Sequence, residues 1–135
     1  MATLVPFILH LHLAHRAGRH YDLRLQYPYK KTLASWALTK AKIPKVIGDK
    51  VLAVQTEDHD KSWLTFRGDI PEGSYGAGTV KIEQKGEAEI LGWYNKAIIF
   101  RVSGSPMNGK YSLIKFKIRN KNKNNNWLLI KSKDE

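Results

Sequence analysis

The sequence of 135 residues contains no cysteine. This absence excludes disulfide bonds, zinc–thiolate centres, iron–sulfur clusters and thiol nucleophiles. The sequence also lacks an apolar run near the roughly 20 residues of a membrane span and the basic region and cleavage site of a secretory signal. We therefore expect a cytoplasmic, stand-alone protein with one domain over residues 1–135 and no membrane association.

Acidic side chains are scarce, with 12 Asp and Glu against 23 Lys and Arg and a net charge of +11. Residues 1–48 hold eight basic side chains and one acid, Asp22, and residues 110–133 hold eight more and no acid. Positively charged ends attract polyanions such as phosphate backbones. The charge favours nucleic acid or another phosphorylated ligand, although a charged coat that only maintains solubility also fits.

Alternation of apolar and polar residues dominates the chain, and no window keeps a helical period of 3.6. The expected fold class is all-β, a small, mainly antiparallel β-barrel with one or two short helices, near 41–47 or 60–66. Turn residues such as Lys85-Gly86 separate the strands, and Gly76 to Gly78 suit a tight bend or a close backbone approach. Residues 120–126 are predicted to form either a mobile loop near a basic face or a plain surface hairpin. The predicted strands lie near 5–12, 20–27, 33–38, 50–57, 78–84, 87–93, 96–103, 110–118 and 126–131.

Four of the five histidines fall within eleven residues, from His10 to His20. On a strand, His20, Asp22 and Arg24 share one face, and the apolar residues between them face the core. If residues 13–19 connect two paired strands, His10 and His12 lie on the same surface. A set of surface histidines on a hairpin is the plainer alternative.

Two imidazoles and one carboxylate suit Mn²⁺, Fe²⁺ or Zn²⁺. Arg24 presents a rigid fork of donors that matches phosphate oxygens and does not itself bind a cation. The alternation therefore predicts a metal site beside a phosphate contact.

His59 follows the predicted strand Val51 to Gln55 and shares a face with Glu57 if that strand continues. Near a metal and an arginine, this imidazole has three possible tasks: to ligate the metal, to bind phosphate or to protonate a leaving group. Alternatively, it is a turn histidine capped by neighbouring acids. Lys40, after an apolar strand, is either a phosphate contact or a solvated strand end.

The motifs HYDLRLQ, SWALTK, AVQTEDHD and IPEGSYGAGTV, with WLLIK near the C-terminus, resemble the 3′-phosphoesterase domain of bacterial DNA ligase D and its stand-alone archaeal relatives. The resemblance runs from Phe7 to Asp134, with the motifs in the family's order. It implies a manganese-dependent β-barrel enzyme of DNA repair. Such an enzyme removes a 3′-terminal ribonucleoside to leave a 3′-phosphate, and then hydrolyses that phosphate to a 3′-hydroxyl.

The same resemblance implies roles for individual residues and partners. Nucleic acid 3′ ends in a primer-template or duplex are the expected substrate, and an ATP-dependent DNA ligase is a candidate partner. Mn²⁺ is the implied cofactor, with Zn²⁺ or another divalent transition metal as alternatives. The implied metal ligands are His12, His20 and Asp22, with His15 as an alternative to His12. Arg24 and His59 would hold the phosphate beside Trp63, which stands at a family tyrosine position, and Lys40 and Glu57 would belong to the supporting catalytic network.

Two other classes of function share part of this pattern. An Fe(II) oxygenase would use His20, Asp22 and His59 as a 2-His-1-carboxylate triad, but the net charge of +11 and the adjacent Arg24 suit phosphate better. A non-catalytic nucleic-acid-binding barrel would use the histidines as phosphate contacts.

Overall fold

The computed structural model describes residues 3–74, 76–117 and 125–134, and it has the expected all-β architecture. One 3₁₀ turn, Lys61–Leu64, falls within the 60–66 window of the predicted short helices, whereas residues 41–47 form no helix, so that prediction is wrong. Within the described ranges, no helix is long and apolar enough to cross a membrane. The strands are β1 (Thr3–Ala14), β2 (Gly18–Gln26), β3 (Thr32–Leu38), β4 (Lys50–Asp60), β5 (Gly68–Ile70), β6 (Gly78–Trp93), β7 (Ala97–Val102), β8 (Gly109–Lys115) and β9 (Asn126–Lys131).

The strands form one antiparallel sheet in the order β1-β2-β3-β4-β9-β8-β7-β6-β5, and an additional pairing between β1 and β6 closes it into a barrel-like ring. The short strand β5 pairs with the beginning of β6. Residues 120–124 of the predicted loop lie outside the described residues, and Asn126 already belongs to β9. The expectation of a small, mainly antiparallel barrel is thus confirmed as a closed ring of strands.

The prediction of two strands with a turn at Lys85-Gly86 is wrong, because β6 runs without interruption from Gly78 to Trp93. Gly86 pairs with Phe7 of β1, and a side chain at Gly86 would contact the Phe7 ring at 3.4 Å. The glycine therefore makes room for an aromatic ring on the neighbouring strand. At the other end of the pairing, a Cβ on Gly78 would overlap the carbonyl oxygen of Leu13, so this glycine permits the predicted close backbone approach.

The core fills the interior of the ring with alternate side chains of each strand. Tyr21, Leu23 and Leu25 of β2 are buried there, as the alternation predicts, and burial of a large apolar side chain contributes about 1.5–3 kcal/mol. Trp36 and Trp127 also lie in the core, and Trp93 packs against it. The opposite face of β1 and β2 is buried too, and it carries the polar residues of the site.

Candidate metal and phosphate site

The pairing of β1 with β2 brings the clustered histidines and Asp22 onto one surface. His10 lies opposite Asp22, and His12 lies opposite His20. All four side chains are buried, although they point away from the interior of the ring. The segment between β4 and β6 covers them, because the carbonyl oxygens of Phe66 and Gly76 contact His10 and His12.

Asp22 lies between two imidazoles. Its Oδ2 is 3.2 Å from His12 Nδ1, and its Oδ1 is 3.3 Å from His20 Nε2. One ligand atom from each of the three residues lies within 4.8 Å of the others. Metal–ligand bonds of about 2.0–2.2 Å place neighbouring ligand atoms roughly 3.0–3.5 Å apart. The two nitrogen–oxygen distances lie in this range, whereas the widest separation in the set would have to shorten when an ion binds.

The second nitrogen of each imidazole is engaged by the backbone. His12 Nε2 lies 2.7 Å from the carbonyl oxygen of Gly76, and His20 Nδ1 lies 3.3 Å from that of Gly18. Because a carbonyl oxygen only accepts, each of these nitrogens carries the hydrogen in the neutral ring. His12 Nδ1 and His20 Nε2 face Asp22. In the neutral rings with these tautomers, both nitrogens would offer lone pairs to a cation, which is the orientation typical of metal-ligating histidines.

The pKa values describe the same site without a cation. Burial alone would raise the pKa of Asp22, but hydrogen bonds with His12 and His20 and the charge of Arg24 hold it well below its usual range. The hydrogen bond to Asp22 raises the pKa of His20. The metal-free site therefore favours a proton between His20 and Asp22, and a divalent cation would replace that proton.

Arg24 lies beside this cluster and is 3% exposed. Its Nε donates to His10 Nδ1 at 3.2 Å, its Nη2 is 3.5 Å from Asp22 Oδ2, and its guanidinium carbon lies 4.9 Å from the centre of the Trp63 ring. His10 in turn donates from Nε2 to the carbonyl oxygen of Phe66 at 2.8 Å. These contacts fix the plane of the guanidinium next to the candidate ligands.

His59 and Trp63 complete the surroundings of Arg24. β4 continues to Asp60, so His59 lies on a strand and the interpretation of an acidic turn is wrong. His59 Nδ1 is 3.1 Å from the Ser35 hydroxyl, and its ring meets the Trp63 ring edge-on at 4.8 Å. Burial and, secondarily, the charge of Arg24 lower the pKa of His59, so its imidazole is neutral near pH 7.

Other predicted site residues lie farther out. His15 pairs with Glu72, has an exposed side chain and is not among the clustered ligand atoms, whereas His12 is. Lys40 and Glu57 have exposed side chains, and Lys40 lies beyond the end of β3. Glu57 still acts on His59, since both its backbone and its charge favour protonation of that ring.

Three contacts of this site were not predicted from the sequence. Ser35, opposite Arg24 on β3, is fully buried and contacts His59, and His10 anchors Arg24. Gly76 has a φ of +77° and lies against His12, where an added Cβ would be 3.3 Å from the ring carbon Cε1. The alternation of Ser35 with the core residue Trp36 was a usable signal, because it places the hydroxyl on the polar face.

The arrangement joins a candidate cation site, a fixed guanidinium and a neutral imidazole on one buried surface. Such a set can bind a phosphate ester, withdraw charge from its oxygens and act on a leaving group. The oxygenase triad predicted from His20, Asp22 and His59 does not form, because His59 contacts Ser35 and Trp63. His12 joins His20 and Asp22 instead, and the adjacent Arg24 makes this set better suited to phosphate.

Comparison with known proteins gives one consistent family. The family model "DNA Ligase D 3'-phosphoesterase domain" matches residues 10–115. The chain is 38% identical over 128 residues to the multifunctional non-homologous end joining protein LigD of Pseudomonas aeruginosa, covering 89% of this chain and 14% of that protein. It is 34% identical over 140 residues to the protein of the same name from Mycolicibacterium smegmatis, covering 96% and 17%. The chain thus spans only a small part of the length of these relatives.

Proposed function

Because the chain belongs to the DNA ligase D 3′-phosphoesterase domain family, we propose that it is a divalent-metal-dependent hydrolase of phosphate esters at nucleic acid 3′ ends. Its reactions would be removal of a 3′-terminal ribonucleoside to leave a 3′-phosphate, and hydrolysis of that phosphate to a 3′-hydroxyl. The observation that carries the proposal is the pair of imidazole nitrogens 3.2 and 3.3 Å from the Asp22 carboxylate oxygens, next to the buried Arg24.

His12 Nδ1, His20 Nε2 and the Asp22 carboxylate would hold the cation, with Mn²⁺ as the proposed ion and Zn²⁺ as the alternative. When bound, the ion supplies positive charge next to a phosphate oxygen and lowers the pKa of a coordinated water. The carbonyl oxygens of Gly76 and Gly18 keep the two imidazoles in the tautomers that ligation requires.

Arg24 would bind the non-bridging phosphate oxygens and stabilise the charge that grows on them in the transition state. His10 and Trp63 hold the guanidinium in place before the substrate arrives, so little reorganisation is needed. The Ser35 hydroxyl engages His59 Nδ1, which leaves Nε2 to act on a substrate oxygen. A hydrogen bond from this nitrogen of the neutral ring would stabilise the charge on the departing sugar oxygen.

The net charge of +11 would attract the phosphate backbone of the strand whose 3′ end lies in this site. Because neutralised phosphates release counterions, binding and activity should fall as the salt concentration rises. The 3′-hydroxyl product is the end that an ATP-dependent DNA ligase requires, and the relatives are named as end-joining proteins. We therefore propose a role in preparing DNA ends for such a ligase.

The direct test uses a 5′-labelled primer-template that ends in a single ribonucleotide. We expect Mn²⁺ to yield first a 3′-phosphate and then a 3′-hydroxyl product on a denaturing gel, with no product in EDTA. Parallel reactions with Zn²⁺ and Mg²⁺ identify the preferred ion. Failure to form either product with any of the three ions, or equal product in EDTA, would contradict the proposal.

A further inference from the structure

A cavity of about 350 Å³ opens at the end of the ring where β2 turns into β3 and β6 turns into β7. Its inner wall includes the buried Trp36 and Trp127, and Tyr27 and Trp93 form its sides. This volume lies within the range of about 300–1,000 Å³ that small-molecule sites occupy. The residues of the candidate metal cluster do not line it.

Aromatic rings line the cavity from its inner wall to its mouth. Tyr27 lies 5.1 Å from Trp93 and 5.5 Å from Tyr29, measured between ring centres. At the mouth, Tyr29 is 70% exposed and Tyr94 is 62% exposed. Exposed rings that continue a buried aromatic wall offer flat faces on which a further planar ring can stack.

Positive charge surrounds the same mouth. Lys30 Nζ lies 4.5 Å from the centre of the Tyr27 ring, and Lys115 Nζ lies 5.9 Å from that of Trp127. These ammonium groups disfavour a cationic guest and favour a neutral planar group attached to an anionic backbone. A nucleobase in a nucleic acid strand has both properties.

The two indoles of the inner wall contribute ring surface and not hydrogen bonds. Trp127 Nε1 donates to Gln55 Oε1 at 3.0 Å. Trp36 Nε1 is shielded from solvent, so a guest in the cavity cannot reach it. The two rings meet edge-on at 5.7 Å and close the bottom of the cavity with apolar surface.

The cavity and the candidate phosphate site lie on opposite faces of the sheet but share the strands β2 to β4. On β3, Trp36 lines the cavity, whereas Ser35 contacts His59 on the other face. Tyr27 follows Arg24 by three residues, so a path around the end of β2 has a length of about 10 Å or more. With a rise of about 3.4 Å or more per nucleotide, a strand that passes around this end covers such a path in about two or three nucleotides.

We propose that this cavity binds an unpaired base of the strand whose 3′ end is processed, two or three nucleotides from the terminus. The proposal rests on the proposed function, because it assigns the cavity to the substrate of the same site. It makes a frayed or single-stranded 3′ end a better ligand than a fully paired end.

The test measures the affinity of the full chain for a 12-nucleotide single strand with a 3′-phosphate, by fluorescence anisotropy in EDTA. One abasic nucleotide replaces the base at each position in turn. We expect an abasic nucleotide two or three positions from the 3′ end to weaken Kd by roughly 5–100-fold, because stacking of one base contributes about 1–3 kcal/mol. An abasic nucleotide eight positions from the end should leave Kd unchanged.

A double variant, Tyr29→Ala with Tyr94→Ala, should bind all these strands with the same reduced affinity. Both side chains are mostly exposed, so the fold should be retained, as thermal unfolding can verify. Ile47→Ala is the matched control: it also removes an exposed apolar side chain, but next to the start of β4, far along that strand from Gln55. Equal affinity for every abasic strand, or a double variant that binds like the wild type, would overturn the proposal.

Phosphate release from the same 12-mer in Mn²⁺ separates this proposal from the proposed function. If phosphate is released but no abasic nucleotide changes Kd, the cavity proposal is refuted and the proposed esterase activity stands. If abasic nucleotides weaken binding near the 3′ end but no phosphate is released, base binding in the cavity is supported and the proposed esterase activity is refuted.

Discussion

Arg24→Lys tests whether the buried guanidinium is held for phosphate binding or is only one of many basic residues. Arg24 combines three contacts in the wild-type protein: a hydrogen bond to His10, an ion pair with Asp22 and the face of Trp63. A lysine keeps the charge but concentrates it in one ammonium group, which cannot reproduce the planar fork.

The expected loss of stability follows from these contacts. A hydrogen bond to a charged group contributes about 1.5–3 kcal/mol, and a desolvated cation over an aromatic face contributes about 0.5–2 kcal/mol. If the ammonium group of the variant retains only the Asp22 contact, the free energy of unfolding should fall by about 2–5 kcal/mol. Hydrolysis of a 3′-phosphate should fall on the order of 10²-fold, as when one transition-state donor is removed.

The assay is urea unfolding in EDTA, with phosphate release in Mn²⁺ as the second readout. Arg101→Lys is the matched control, because Arg101 pairs with Glu89 and Asp134 on the surface. It should change neither the unfolding midpoint nor the rate measurably, since exposed ion pairs contribute little. The reasoning is refuted if Arg24→Lys keeps wild-type hydrolysis, or if both substitutions reduce stability equally.

Further predictions concern single positions. Gly78→Ala should lower the urea midpoint strongly, because its Cβ would overlap the β1 backbone. Gly48→Ala is the control: Gly48 has a φ of +92° and nothing within 4 Å of an added Cβ, so this variant should have only the smaller cost of a left-handed residue. Similar midpoints for the two variants would contradict this prediction. Ser35→Ala should lower kcat roughly 10-fold with little change in KM, because it releases the ring of His59; steady-state kinetics decide. Since burial lowers the pKa of His59 from 6.5, the unfolded chain binds more protons below that value, and stability falls as the pH is lowered. His59→Gln should make this fall smaller in acid titrations of the unfolding free energy. His15→Asn should keep the wild-type Mn²⁺ affinity, measured by calorimetry, because His15 pairs with Glu72 instead.

The face-by-face arrangement of β1 and β2 was predictable because strand side chains alternate with a period of two. This rule alone places His20, Asp22 and Arg24 together once the chain is known to be extended there. The predicted turn at Gly86 was wrong, because a glycine inside a strand beside Phe7 and a glycine in a turn look alike in sequence. The three-residue strand β5 was missed since its length gives no periodicity.

The supporting contacts of the site were less predictable than its side chains. The carbonyl oxygens of Gly18, Phe66 and Gly76 set the histidine tautomers and the position of His10, and any residue type supplies such an oxygen. Their positions depend on how the segment between β4 and β6 lies over β1. Only the fold brings these distant parts of the chain together.

Binding of Mn²⁺ shows whether His12, His20 and Asp22 form a metal site. Titration of the wild type and of Asp22→Asn with Mn²⁺, followed by the electron paramagnetic resonance of the free ion, gives stoichiometry and affinity for both. The isosteric amide keeps the volume of Asp22 but removes the charge that faces both imidazoles. We expect one tightly bound ion per wild-type chain and no tight site in the folded variant, whereas equal affinity in both proteins, or no binding to the wild type, would contradict the account.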